Sequence, residues 1–110
     1  MNDLNYYTVP DLVELLGIGP SKIHRLLEDQ HLAAVKIDGV LQIPEAFIVD
    51  GSPLSSLRGT LVALSDAGLS VEESVEWLFT ENEQLSGREP IAVLRSGQKS
   101  AVRRAVQVLG

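Results

Sequence analysis

The chain contains no cysteine. That excludes disulfides and thiolate metal sites, and it agrees with a reducing compartment. Aromatic residues are few, two Phe, two Tyr and one Trp, so the core must be mainly aliphatic. Trp77 is assigned to the core or an interface ahead of ligand contact, because a single large aromatic commonly anchors a small domain. No apolar run approaches the roughly 20 residues that span a bilayer. The opening MNDLNYYTVP has no basic stretch followed by an apolar core, so neither a membrane span nor a signal peptide is expected, and the expected location is cytoplasmic. Basic residues are also short: nine Lys and Arg stand against fifteen Asp and Glu, a net charge of −6. Nucleic-acid affinity is dominated by cations meeting phosphates, so binding of that kind must rest on few contacts.

Catalytic machinery is missing too. The glycines are scattered, with neither a phosphate-loop nor a dinucleotide fingerprint. Ser65-Asp66, Glu72-Glu73 and Glu81-Asn82-Glu83 are most simply solvated or capping groups rather than acid/base pairs. His24 and His31 lie seven apart, on one side of what the pattern suggests is a continuous helix. No cysteine or nearby carboxylate completes a metal set with them. No catalytic residue, cofactor or metal ligand is assigned, and the expectation is a protein that is not an enzyme. Apolar residues make up 45% of the 110, which supplies a real core and argues against wholesale disorder. That length fits one compact domain or two very small halves sharing a core. The polar link Asp50-Gly51-Ser52-Pro53 is the only plausible internal boundary, dividing 1–50 from 51–110.

The most informative stretch is 8–27, TVPDLVELLGIGPSKIHRLL. Thr8 can cap a helix, with Asp11 as its reciprocal partner in a capping box. Pro10 is tolerated there because first-turn amides lack intrahelical acceptors. Leu12, Val13, Leu15 and Leu16 form the apolar face. Gly17 closes the helix, and Gly19-Pro20 restart the chain, proline being favoured at a first helical position. Ile23, Leu26 and Leu27 are the buried stripe of the second helix, which leaves Ser21, Lys22, His24 and Arg25 on its outer, N-terminal half. A helix-turn-helix presents its base-reading side chains there, although a plain helical hairpin has the same spacing.

Tyr6 and Tyr7 are expected to pack on the first helix, and residues 28–31 to end the second. Val35 and Ile37 then alternate on one arm, with Val40 and 41–43 on the other. Asp38-Gly39 between them is a strong hairpin signal, since both central positions need positive φ. Pro44 stops the second strand. A two-stranded ribbon directly after a helix-turn-helix is a wing, with Lys36 and Gly39 its candidate contacts; the bland alternative is a hairpin covering the core edge. A short helical turn is expected within 44–49.

Beyond the link the pattern is helical. Leu54, Leu57, Leu61 and Leu64 recur at helical spacing and are closed by Gly68. Ser70 to Glu73 is a second capping box, opening a helix with Val71, Val75, Leu78 and Phe79 inward. Residues 82–87 are a loop, Pro90 opens a short helix that Ser96-Gly97 ends, and a last helix runs to about Leu109. Ala101, Val102, Ala105, Val106 and Leu109 form its apolar stripe. Burial of that stripe within a monomer is favoured over a dimer seam. Its basic flank, Lys99, Arg103 and Arg104, is expected to complement the helix's own C-terminus rather than extend a DNA footprint.

The residues YTVPDLVELLGI, then IHRLLEDQHLAAVKIDG and IP, resemble the winged helix of MerR-type and phage excisionase-type DNA-binding domains. In that resemblance Lys22, His24 and Arg25 match outer positions of the recognition helix and Lys36 matches a wing cation. Gln42 stands where excisionase-like wings usually carry arginine, which implies a weaker phosphate grip. EWLFTENEQLSGREPIAVLRSG is similar to the toxin-binding half of some antitoxins. The whole chain looks like a small actinobacterial family of winged-helix DNA-binding proteins, carried by LRGTLVALSDAG, WLFT and AVRRA behind the wing.

The expected fold is therefore α+β and mostly α: a winged helix-turn-helix with a two-stranded wing and additional C-terminal helices packed on it. The expected partner is double-stranded DNA, contacted by Ser21, Lys22, His24, Arg25, Lys36 and Gly39, with transcriptional regulation as the output. The alternative is a protein-interaction module, antitoxin-like or an adaptor, that keeps the winged scaffold without strong DNA binding and engages a protein through its C-terminal helices.

Overall fold

Thr8 has φ −82° and ψ 170°. The extended conformation that a helix N-cap requires is also that of a strand. Strand β1 (Tyr6–Thr8) accordingly runs straight into helix α1 (Val9–Leu16). The computed structural model describes residues 5–109, so the opening of the expected lead-in, and of the segment scanned for a signal peptide, lies outside the described residues. The Thr8 hydroxyl accepts the Asp11 amide at 3.3 Å, and the Asp11 carboxylate accepts the Thr8 amide at 2.9 Å. This is the reciprocal capping box expected from the sequence.

Helix α2 (Pro20–Glu28) ends in a way the sequence concealed. Gln30 adopts φ 63°. The His31 amide then donates to the Leu26 carbonyl at 2.9 Å, and the Gln30 amide to that of Leu27 at 3.2 Å. This is a Schellman closure with glutamine in the position that glycine usually takes. His24 and His31 therefore do not share a continuous helix, because the left-handed residue turns the chain between them. Among the described residues no group of three His, Asp or Glu is placed to hold a metal ion.

Strands β2 (Val35–Ile37) and β3 (Val40–Pro44) form the expected hairpin, pairing Ile37 with Val40. Asp38 and Gly39 at its tip have φ 53° and 80°. Both central residues are left-handed, as in a type I′ turn, one of the two turn types whose twist matches that of two strands joined so tightly. The ribbon is not isolated, however. β1 pairs antiparallel with the far end of β3, giving a three-stranded sheet ordered β1-β3-β2. Tyr6 and Tyr7, expected only to pack on the first helix, are thus strand residues opposite Pro44 and Ile43.

A single 3-10 turn follows at Glu45–Phe47. The segment expected to be a polar link is a second tight hairpin, β4 (Ile48–Val49) against β5 (Ser52–Pro53), with Asp50 and Gly51 at φ 51° and 74°. The remainder is helical: α3 (Leu57–Asp66), α4 (Val71–Leu78), a 3-10 turn Glu83–Leu85, α5 (Pro90–Arg95) and α6 (Lys99–Gln107). Ser70 and Glu73 close the second capping box, with bonds of 2.8 and 3.1 Å.

The buried side chains form one cluster drawn from both segments. Leu12, Ile23, Ile43 and Phe47 from the first meet Leu57, Leu64, Val75, Leu78, Val93 and Val102 from the second. The Phe47 ring lies 5.7 Å from that of Phe79, tilted by 33°. Trp77 is half-buried against this cluster. Three sequence expectations need correction at the edges, and the first is Leu15, which is 44% exposed although the sequence pattern puts it on the apolar face of α1. Val71 is 51% exposed because it starts α4 at the rim of a cleft, and Leu109 is 43% exposed because α6 stops at Gln107, before the stripe completes another turn. Val102, Ala105 and Val106 are buried, with α6 packed on α3 and α5. Among the described residues no helix is long and apolar enough to cross a membrane.

Candidate nucleic-acid interface

The orientation of α2 is fixed from both ends. Gly17 takes φ 68° and donates its amide to the Val13 carbonyl at 3.0 Å, closing α1. Gly19 then caps α2 in an extended conformation, and Pro20 starts the helix with the amide it lacks pointing where no acceptor exists. Ile23, with no exposed surface, pins the rotation about the helix axis. At about 100° per residue, Ser21 and Arg25 then face directly away from the core. Lys22 and Asp29 lie on one flank, and His24 and Glu28 on the other. Ser21, Lys22, His24 and Arg25 are all exposed. Their hydrogen-bonding groups are therefore free to meet an incoming surface rather than committed to the core.

His24 lines a cleft of about 410 Å³ together with Leu27, Leu41, Leu61, Leu69 and Glu72. That cleft separates the flank of α2 from α3 and the start of α4. At the C-terminal end of α2, Arg58, at the start of α3, donates its Nε to the Asp29 carbonyl at 3.0 Å. Nothing in the spacing of the sequence signalled this arginine, since its partner is a main-chain oxygen 29 residues earlier.

The wing is less simply arranged than the helix. Gly39 is exposed at the hairpin tip, but Lys36 lines a hollow of about 420 Å³ with Glu72 and Glu76 of α4. Ser21, Lys22, His24 and Arg25 are thus brought together on one element. Lys36 is set apart, on a hollow whose lining also includes two carboxylates.

The geometry agrees with what comparison with known proteins finds. A family profile described as DNA-binding protein Rv2175c, wHTH domain, matches residues 1–48. A second, described as the Rv2175c C-terminal domain of unknown function, matches residues 54–110. The chain belongs to the Rv2175c family. DNA-binding protein Rv2175c of Mycobacterium tuberculosis is 36% identical over 100 residues, which cover 90% of this chain and 64% of that protein. The chain therefore spans somewhat less than two thirds of that relative's length. The NMR structure of Rv2175c superposes with a TM-score of 0.87 at 32% identity, covering 100% of this chain and 84% of that one. An excisionase of Streptomyces ambofaciens is 37% identical over 43 residues, 39% of this chain and 69% of that protein. The resemblance to a winged-helix family and to excisionases is borne out, and with it the α+β winged-helix fold of the Rv2175c family.

Proposed function

We propose that this protein binds duplex DNA, with α2 in the major groove and the β2–β3 hairpin against the backbone or minor groove, and that its output is transcriptional regulation. One observation carries the reading: a helix rotated by fully buried Ile23 so that Ser21, Lys22, His24 and Arg25 stand exposed on one element. The names of its relatives, a DNA-binding protein and an excisionase, support it. Arg25 reads a base edge, because a guanidinium can bond guanine bidentately. Ser21 and Lys22 contact phosphates, and His24 reaches a base or a phosphate. Lys36 contributes less than Lys22, since Glu72 and Glu76 share its surroundings. The segments 1–50 and 51–110 act as one folded, monomeric unit, supported by the burial of Val102, Ala105 and Val106 against the chain's own helices. A duplex-DNA partner makes the cytoplasm its place of action. Affinity selection from random duplexes, with sequencing of what is retained, is the direct test. Enrichment of a motif is expected, and recovery of unenriched sequence at low salt refutes base readout.

A further inference from the structure

The charge of this chain is strongly segregated. All fifteen side-chain carboxylates lie outside residues 54–65 and 90–110, while Arg58, Arg95, Lys99, Arg103 and Arg104 lie within them. Folding brings these two carboxylate-free segments together, because α6 packs on α3. Arg103 Nη2 lies 3.5 Å from where a Cβ on Gly59 would stand, so its guanidinium rests over the one α3 residue without a side chain. Lys99 lies one turn earlier on α6 and lines a hollow of about 440 Å³ with Ser55, Ser56 and Arg95. Arg58 sits beside Gly59 and reaches back to the end of α2.

Cations thus occur in turn from Lys22 and Arg25 on α2, through Arg58 at its C-terminal end, to Arg103 and Lys99 on α6. Glu28 and Asp29 stand at the end of α2, and Glu83 belongs to the 3-10 turn that packs on α6. Lys99, Arg103 and Arg58 are all exposed. Arg103 reaches across to α3 rather than along its own helix. That geometry departs from the role expected for it on sequence grounds.

We infer that the α3–α6 face is a second DNA-contacting surface, on which Arg58, Lys99 and Arg103 hold backbone phosphates flanking the site that α2 occupies. The inference rests on the reading of α2 as the groove-entering helix, and it gives the C-terminal segment a direct role in affinity. Phosphate contacts position a protein without reading sequence. Such contacts relieve the shortage of cations on the winged half, where Lys22, Arg25 and Lys36 face eight carboxylates in residues 1–50.

The test uses the full chain and a selected site placed in two duplexes, one of about one helical turn and one of about three. Binding is measured by fluorescence anisotropy over a range of salt. The double variant Lys99→Gln, Arg103→Gln should bind the long duplex roughly tenfold more weakly, with a salt dependence flatter by about two units of slope. On the short duplex it should match the parent. Arg88→Gln, which removes a cation outside the two carboxylate-free segments, should leave both affinities unchanged, and thermal melts should confirm that all variants fold. Equal binding of the long duplex by parent and double variant overturns the inference, as does an equal loss on both duplexes or an equal loss in Arg88→Gln. If Lys22→Ala and Arg25→Ala weaken binding while the double variant does not, the reading of α2 stands and only the second surface falls. A parent that binds neither duplex refutes both.

Discussion

Arg25 and Lys22 are neighbours on one helix with different geometric assignments. Arg25 points directly away from the pinned Ile23 and therefore meets the groove floor if α2 enters it. Arg25→Ala should cost about 1–3 kcal/mol on a selected site and relax preference at one base position. Lys22 stands on the flank, where a cation meets the sugar-phosphate wall. Lys22→Ala should weaken binding evenly across sequences and flatten the salt dependence by about one unit of slope. Lys36→Ala should flatten it by less, because Glu72 and Glu76 line the same hollow. Competition titrations of the three variants against selected and scrambled duplexes separate these outcomes. Parent-like selectivity in Arg25→Ala rules out its base contact.

The elements were legible in proportion to how much of their stabilisation is local. Both capping boxes, the glycine that closes α1 and the Asp38-Gly39 turn are written in residues a few positions apart, and all of them formed as expected. The Asp50-Gly51 turn carries the same dipeptide but joins strands of two residues each. No alternation can be seen in so short a run, and Pro53 lacks the amide that a strand ladder uses. β1 was hidden for another reason: its pairing partner Ile43 lies far along the chain, and tyrosines before an N-cap already had a local role. Gln30 ends α2 without the glycine that announces such a closure. On the candidate site, the α2 residues were legible from helical periodicity, whereas the setting of Lys36 beside α4 and the Arg58 bond depend on packing that no local pattern encodes. The wing itself is open to a sharp test. Gly39 has φ 80° and nothing within 4 Å of where a Cβ would stand, so a substitution there is opposed by backbone strain alone. Gly39→Val should disturb the hairpin by about 1–2 kcal/mol of local strain while the helices stay folded. Amide shifts that do not change across 35–43 would be incompatible with the turn.

At the scale of the whole molecule, the winged half and the helical half are joined by more than the chain. Arg95 Nη1 donates to the carbonyls of Ala46 and Ile48 at 2.7 and 3.2 Å, which ties α5 to the 3-10 turn below the wing. Arg58 ties α3 to the end of α2. Between these two staples Phe47, with no exposed surface, stacks toward Phe79. Each staple is an exposed or half-exposed hydrogen bond and contributes on the order of 1 kcal/mol. The phenylalanine contact contributes more, since truncating a buried aromatic to alanine typically costs about 3–5 kcal/mol. A milder change keeps the protein folded: Phe47→Leu should cost about 1–2 kcal/mol. If the two halves unfold as one unit, that loss must appear at every site alike. Trp77, the only tryptophan, reports the helical half by fluorescence. The Tyr7 and Ile43 amides report the sheet by hydrogen exchange. Denaturant titration of Phe47→Leu should lower the midpoint seen by Trp77 and the protection seen at the sheet amides by the same free energy. A shift confined to one probe would mean that the halves fold independently. The cations of α3 and α6 would then hang on a mobile body, unable to hold the fixed register against DNA that the proposed second surface requires.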